Sequence, residues 1–79
     1  MIKRALGKCI AELRRAKGLT QEQLAEMAGY STEFISLIER GVNAPSVAGL
    51  EKIARALGLE IKDLFDFQGE AKRGATDDH

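Results

Sequence analysis

Residues 18–41 read GLTQEQLAEMAGYSTEFISLIERG, and this stretch holds two helix starts and two helix stops. Thr20 is an N-cap residue, and Gln23, three positions on, can reach back to the Thr20 backbone N–H, the reciprocal arrangement of a capping box. Leu24, Ala25 and Ala28 then recur on one face until Gly29 ends the helix. Ser31 caps a second helix, with Tyr30 before it and Ile35 one turn in, spaced as a hydrophobic staple. Ile35 and Ile38 face inward, and Gly41 stops the helix. Helices this short are not stable alone in water, so other elements must hold both of them. The second helix also carries Phe34 and Leu37. Apolar residues at 34, 35, 37 and 38 span more than one helical face, which predicts that at least one of them points outward.

The flanking sequence supplies the scaffold. Ile2, Leu6, Ile10 and Leu13 form a helical stripe over residues 2–17, with Gly18 as a left-handed stop. The VNAPS segment is a loop, because the residue before Pro45 avoids helical geometry. Ser46 caps a fourth helix, in which Val47, Leu50, Ile53, Ala54 and Leu57 repeat with helical period up to Gly58. A short terminal helix over residues 61–65 follows. The predicted fold class is therefore all-α, with five helices in one domain over residues 1–67. The remaining QGEAKRGATDDH, residues 68–79, has no apolar period and reads as a mobile tail.

Composition narrows the function. A chain of 79 residues with 44% hydrophobic and 30% charged residues has the balance of an ordinary soluble domain. No apolar run approaches the length of a membrane span, and the start MIKRALGKCIAELRR returns to charge too often for a signal peptide. The single cysteine, Cys9, cannot form an intrachain disulfide, which fits a cytoplasmic, reducing setting. There is no nucleophilic set, no metal-ligand spacing and no phosphate-binding loop, so neither an enzyme, a metal nor a cofactor is expected. His79 is assigned no role. Net charge is zero, with twelve basic and twelve acidic residues. Its distribution is uneven: Lys3, Arg4, Lys8, Arg14, Arg15 and Lys17 face only Glu12 within residues 1–19, whereas Glu22, Glu26, Glu33 and Glu39 face only Arg40 within residues 20–40. A basic first helix suits contact with a polyanion.

Two short helices joined by a tight Gly-containing turn, held by a scaffold of others, is the helix-turn-helix plan, whose second helix lies in the DNA major groove. The elements GLTQEQLAEMAG, ISLIERG, APS and LEKIARALGLEIKDLF, in this order, resemble the phage repressor and Cro helix-turn-helix family, also called the XRE family. The resemblance spans residues 6–65. It implies a compact five-helix, lambda-repressor-like domain that binds double-stranded DNA as a homodimer on a symmetric operator. The aromatic followed by Ile-Ser, as in Phe34-Ile35-Ser36, is also similar to the restriction–modification controller proteins of this family. Those commonly have a basic residue near the start of helix three, where this chain has Thr32 and Glu33.

Carried over by position, the resemblance implies that Gln21 contacts a backbone phosphate and braces the recognition helix. It places Ser31, Thr32, Glu33, Phe34, Ser36 and Leu37 on or at the start of that helix, toward base edges or flanking phosphates. Arg40, Asn43 and Ser46 follow in the loop and cap, where the fourth helix points free N–H groups outward. Arg14 and Glu39 match a pair that ties helix one to helix three, a structural salt bridge rather than a DNA contact. Cys9 falls at a position usually exposed in the family, and is expected to be a bystander thiol.

A carboxylate at position 33 needs either a cytosine amino group to accept from or a nearby cation, such as Arg40. Phe34 or Leu37 is expected to touch thymine methyl groups, the alternative being that they belong to the core. Lys3, Arg4 or Lys8 can supplement the phosphate contacts. Leu59, Ile61, Leu64, Phe65 and Phe67 are more apolar residues than a short terminal helix needs, and are expected to form the dimer surface. With so short a chain, control is expected through concentration, dimerisation or another protein, RNA polymerase among them. The competing reading is a protein-interaction module on the same fold, with a toxin or anti-repressor partner.

Overall fold

A computed structural model describes residues 2–66 of the chain. In chain order they form α1 (Ile2–Ala16), α2 (Gln21–Ala28), α3 (Thr32–Glu39), α4 (Val47–Ala56) and a 3-10 helix (Ile61–Phe65). Phe67 and the tail over residues 68–79 lie outside the described residues. Among those described, all regular structure is helical and no strand occurs. There are four α-helices, so the expected fifth is a correction in type: residues 61–65 wind as a 3-10 helix. Its opening bond, from the Asp63 N–H to the Glu60 carbonyl at 2.9 Å, spans three residues, the tighter winding that short terminal segments adopt.

Local chemistry sets the helix starts. Thr20 Oγ1 accepts the Gln23 N–H at 3.0 Å, while Gln23 Oε1 accepts the Thr20 N–H at 2.8 Å, which completes the capping box. Ser31 Oγ accepts the Phe34 N–H at 3.1 Å, and Ser46 Oγ accepts the Gly49 N–H at 3.1 Å.

The core joins these helices. Ile10, Leu24, Ile35, Ile38, Ile53, Leu57 and Leu64 are fully buried, with Leu6, Leu50 and several alanines around them. Each such Ile or Leu contributes roughly 1.5–3 kcal/mol by leaving water, so burial rather than helix propensity holds the two eight-residue helices. α3 packs on α1 and α2, and α4 packs on α2 and on the 3-10 helix. Gly7 allows α1 to approach α3 closely. A Cβ there would collide with the Ile38 carbonyl oxygen and lie 2.9 Å from that of Glu39.

The helical stripes differ from expectation at their ends. Ile2 and Val47 are exposed, because each sits in the first turn of its helix, beyond the edge of the core. Cys9 is the reverse case: it is only 7% exposed, with Sγ 3.9 Å from the Asp63 carbonyl oxygen, because the 3-10 helix folds back over that face of α1. The expectation of an exposed thiol is thus corrected.

Candidate nucleic-acid interface

The turn between α2 and α3 is made by Gly29, whose φ of 78° is open to glycine without a Cβ penalty. The next N–H, that of Tyr30, donates to the Ala25 carbonyl at 2.8 Å and so closes the end of α2. The chain then re-enters helix at once under the Ser31 cap.

One polar network fixes α3 against α1 and α2. Arg14 Nε donates to Glu39 Oε2 at 2.7 Å and Arg14 Nη2 to Glu39 Oε1 at 3.1 Å. Arg14 Nη1 donates to the Leu19 carbonyl at 2.7 Å, and Gln21 Nε2 to Glu39 Oε1 at 2.9 Å. Glu39 is the last residue of α3, Gln21 the first of α2 and Arg14 lies in the last turn of α1. Bidentate pairing satisfies a carboxylate that has left water, which an isolated buried charge cannot tolerate. Gln21 therefore braces α3 through Glu39.

The outward side of α3 separates the candidate readers. Thr32 and Glu33 are exposed, and Ser36 and Leu37 are half-buried. Phe34 is half-buried too, but it packs against the core and on Tyr30, with ring centroids 4.8 Å apart and planes at 52°. Leu37 is therefore the apolar residue of α3 left without core packing, and Phe34 has a structural partner. Sequence spacing alone did not distinguish them. Glu33 and Arg40 are both exposed and form no ion pair with each other among the described residues, so Arg40 does not offset Glu33 in this conformation.

The loop after α3 folds against the start of α1. The Val42 and Asn43 N–H groups donate to the Leu37 carbonyl at 3.0 and 3.3 Å, and Lys3 Nζ lies 3.5 Å from the Val42 carbonyl oxygen. Gly41 has φ 79°, and a Cβ there would lie 2.6 Å from Arg4 Cγ. These contacts bring Lys3 and Arg4 against Val42 and Gly41, the residues between Arg40 and Asn43, a juxtaposition that sequence order does not reveal. Ser46 is exposed at the head of α4, and its cap bond to Gly49 leaves the Val47 and Ala48 N–H groups at the open helix end.

At the opposite end, Leu59, Ile61 and Phe65 are half-buried and pack on the core from its edge. Leu64 is fully buried, which corrects its assignment to a dimer surface: it closes the protomer's own core. A shallow depression beside these residues is lined by Glu51, Arg55, Leu59, Glu60, Ile61 and Lys62. Among the described residues, no group of three His, Cys, Asp or Glu is placed to hold a metal, and no helix is long and apolar enough to cross a membrane.

Comparison with known proteins agrees with this geometry. The helix-turn-helix family model HTH_3 matches residues 10–64. An uncharacterized HTH-type transcriptional regulator, y4dJ of Sinorhizobium fredii, is 40% identical over 63 residues, covering 80% of this chain and 82% of that protein. The control protein C.BamHI of Bacillus amyloliquefaciens is 39% identical over 67 residues, covering 84% and 83%. The crystal structure of the restriction-modification controller protein C.AhdI from Aeromonas hydrophila superposes with a TM-score of 0.77 at 39% identity, over 78% of this chain and 94% of that one. With a family match over most of its length and the turn, caps and braced α3 in place, the chain belongs to the HTH_3, XRE-type helix-turn-helix family of transcriptional regulators.

Proposed function

We propose that this protein is a sequence-specific regulator that binds double-stranded DNA as a homodimer on a symmetric operator. The observation that carries the reading is the bracing of α3 by Glu39 against Arg14 and Gln21, while Thr32 and Glu33 on the same helix are exposed and Leu37 is half-buried without packing on the core. A helix held this rigidly by its far end, with its start open, is suited to lie in a major groove. In this reading Leu37 touches a thymine methyl, Glu33 accepts from a cytosine amino group, and Thr32, Ser31 and Ser36 supply polar contacts. Phe34 supports the reader from its edge. The second Gln21 amide hydrogen, Arg40, Asn43, Ser46 and the α4 N-terminus hold phosphates, with Lys3 and Arg4 extending that track.

One such module buries roughly 600–1,000 Å² on DNA and reads a few base pairs, so two copies supply useful specificity. The dimer surface comprises Leu59, Ile61 and Phe65, and residues 1–67 form the DNA-binding unit. Beside it Glu51 and Arg55 pair with each other, and Glu60 and Lys62 are of opposite sign, which suits a self-complementary two-fold interface. The likeness to C.BamHI and C.AhdI supports a regulator of the controller type.

Selection of duplexes from a random DNA library by the purified protein, at about 0.1 M salt, tests the reading. Enrichment of a symmetric site with half-sites about one turn, roughly 34 Å, apart is the expected result. A folded protein that enriches nothing overturns it and leaves a protein-interaction role on the same fold.

A further inference from the structure

Tyr30 reaches from the turn to both helix starts that the DNA-binding reading uses. Its ring packs on Phe34, the third residue of α3. Its hydroxyl lies against Gly49, the third residue of α4: a Cβ on Gly49 would overlap Tyr30 Oη and lie 3.3 Å from Cζ and 3.0 Å from the Pro45 Cβ. The Lys52 ammonium covers the ring at 5.8 Å from its centroid, and the Tyr30 N–H is held by Ala25. α3 packs chiefly on α1 and α2, and α4 on α2 and the 3-10 helix, so little besides residues 40–46 and this ring joins α3 to α4 directly.

We propose that Tyr30 is a positioning residue for DNA binding, a spacer that sets the distance between the start of the reading helix and the start of α4. The inference rests on the DNA-binding reading above. Base edges and phosphates of one duplex stand at fixed separations, and a hydrogen bond weakens steeply once its partners are displaced beyond about 3.5 Å. A reader and a phosphate clamp on separate helices therefore engage together only if something rigid spaces them. A planar ring with few rotamers, seated against a residue that has no side chain, meets that need.

The experiment uses the full chain and the duplex it selects, with each variant held where circular dichroism shows it folded. Tyr30→Leu, which removes the ring's reach to Gly49, is expected to bind about tenfold more weakly, the loss of about one contact worth roughly 1.4 kcal/mol. Phosphate-ethylation interference is expected to disappear at the phosphates held by the α4 start, while the preferred base sequence is retained. Tyr30→Phe keeps the ring and is expected to restore the interference pattern. If Tyr30→Leu does not fold, Gly49→Ala tests the spacer from the other side: the same phosphates are expected to be lost, and regained in the Tyr30→Phe/Gly49→Ala double variant. A folded Tyr30→Leu with the wild-type pattern, or no rescue by Tyr30→Phe, overturns the spacer alone. A wild-type protein that selects no duplex overturns the DNA-binding reading itself, and the spacer with it.

Discussion

Arg14 and Glu39 lie 25 residues apart in sequence and meet in two hydrogen bonds of 2.7 and 3.1 Å, with side chains only 10% and 5% exposed. The other ion pair of the described residues, Arg55 with Glu51, is 76% and 59% exposed on one face of α4. The two pairs look alike as contacts, but solvent makes them unequal. Water screens the second, whereas removal of Arg14 strands a carboxylate in the protein with only the Gln21 amide left to it.

Arg14→Ala is therefore expected to cost about 3–5 kcal/mol, close to the whole stability of a domain this small. Arg55→Ala is expected to cost less than about 1 kcal/mol. Urea unfolding of the two variants measures the contrast; equal midpoints would show that the Arg14–Glu39 pair is as solvated as the surface one.

Gly7→Ala should be destabilising although alanine is the better helix former by about 1 kcal/mol. The new Cβ meets the Ile38 carbonyl oxygen and forces α1 from α3, an overpacking cost of about 1–3 kcal/mol, which leaves a net loss of up to about 2 kcal/mol once the propensity gain is subtracted. Thermal melts followed by circular dichroism decide it. A melting temperature at or above wild type would mean that the α1–α3 crossing is looser than described.

Gln21 and the proposed readers of α3 should fail in different ways on DNA. Gln21→Ala is expected to weaken binding to every sequence by a similar factor, whereas Leu37→Ala or Glu33→Ala should alter the preferred base at one position, a discrimination worth about 1–3 kcal/mol. Competition between the selected duplex and its single-base variants measures both. Unchanged preference in folded Leu37→Ala and Glu33→Ala would remove α3 from the role of reader.

The two apolar classes at the C-terminal end are expected to part in the same manner. Leu64→Ala empties a fully buried site and should cost about 2–5 kcal/mol, with self-association kept wherever the variant is folded. On the proposed dimer surface, Ile61→Lys, at the half-buried edge, should give monomers at concentrations where the wild-type chain is expected to self-associate. Sedimentation equilibrium reports the difference, and a dimeric Ile61→Lys would move the self-association surface elsewhere.

Sequence by itself determined the order of the helices and where they begin. Thr20 with Gln23, Ser31 and Ser46 act on N–H groups two or three residues away, so their effect is readable without knowing the fold. The buried stripe through Leu24, Ile35, Ile38 and Ile53 was legible for the same reason, helical period being local. The winding of residues 61–65 was not: so short a segment takes its geometry from what it packs against.

Tertiary structure decided the rest. Whether Phe34 or Leu37 packs on the core depends on how the helices and the Tyr30 ring approach α3; whether Leu64 faces a partner or the core depends on the 3-10 helix closing over α1 and α4. Cys9 is buried by a segment more than fifty residues away, and Gly7 and Gly49 are required by atoms of other elements that pass where a Cβ would be. Each of these depends on how complete elements approach one another. A local pattern restricts a residue to a face of its helix, and only the packed neighbours determine which face is covered.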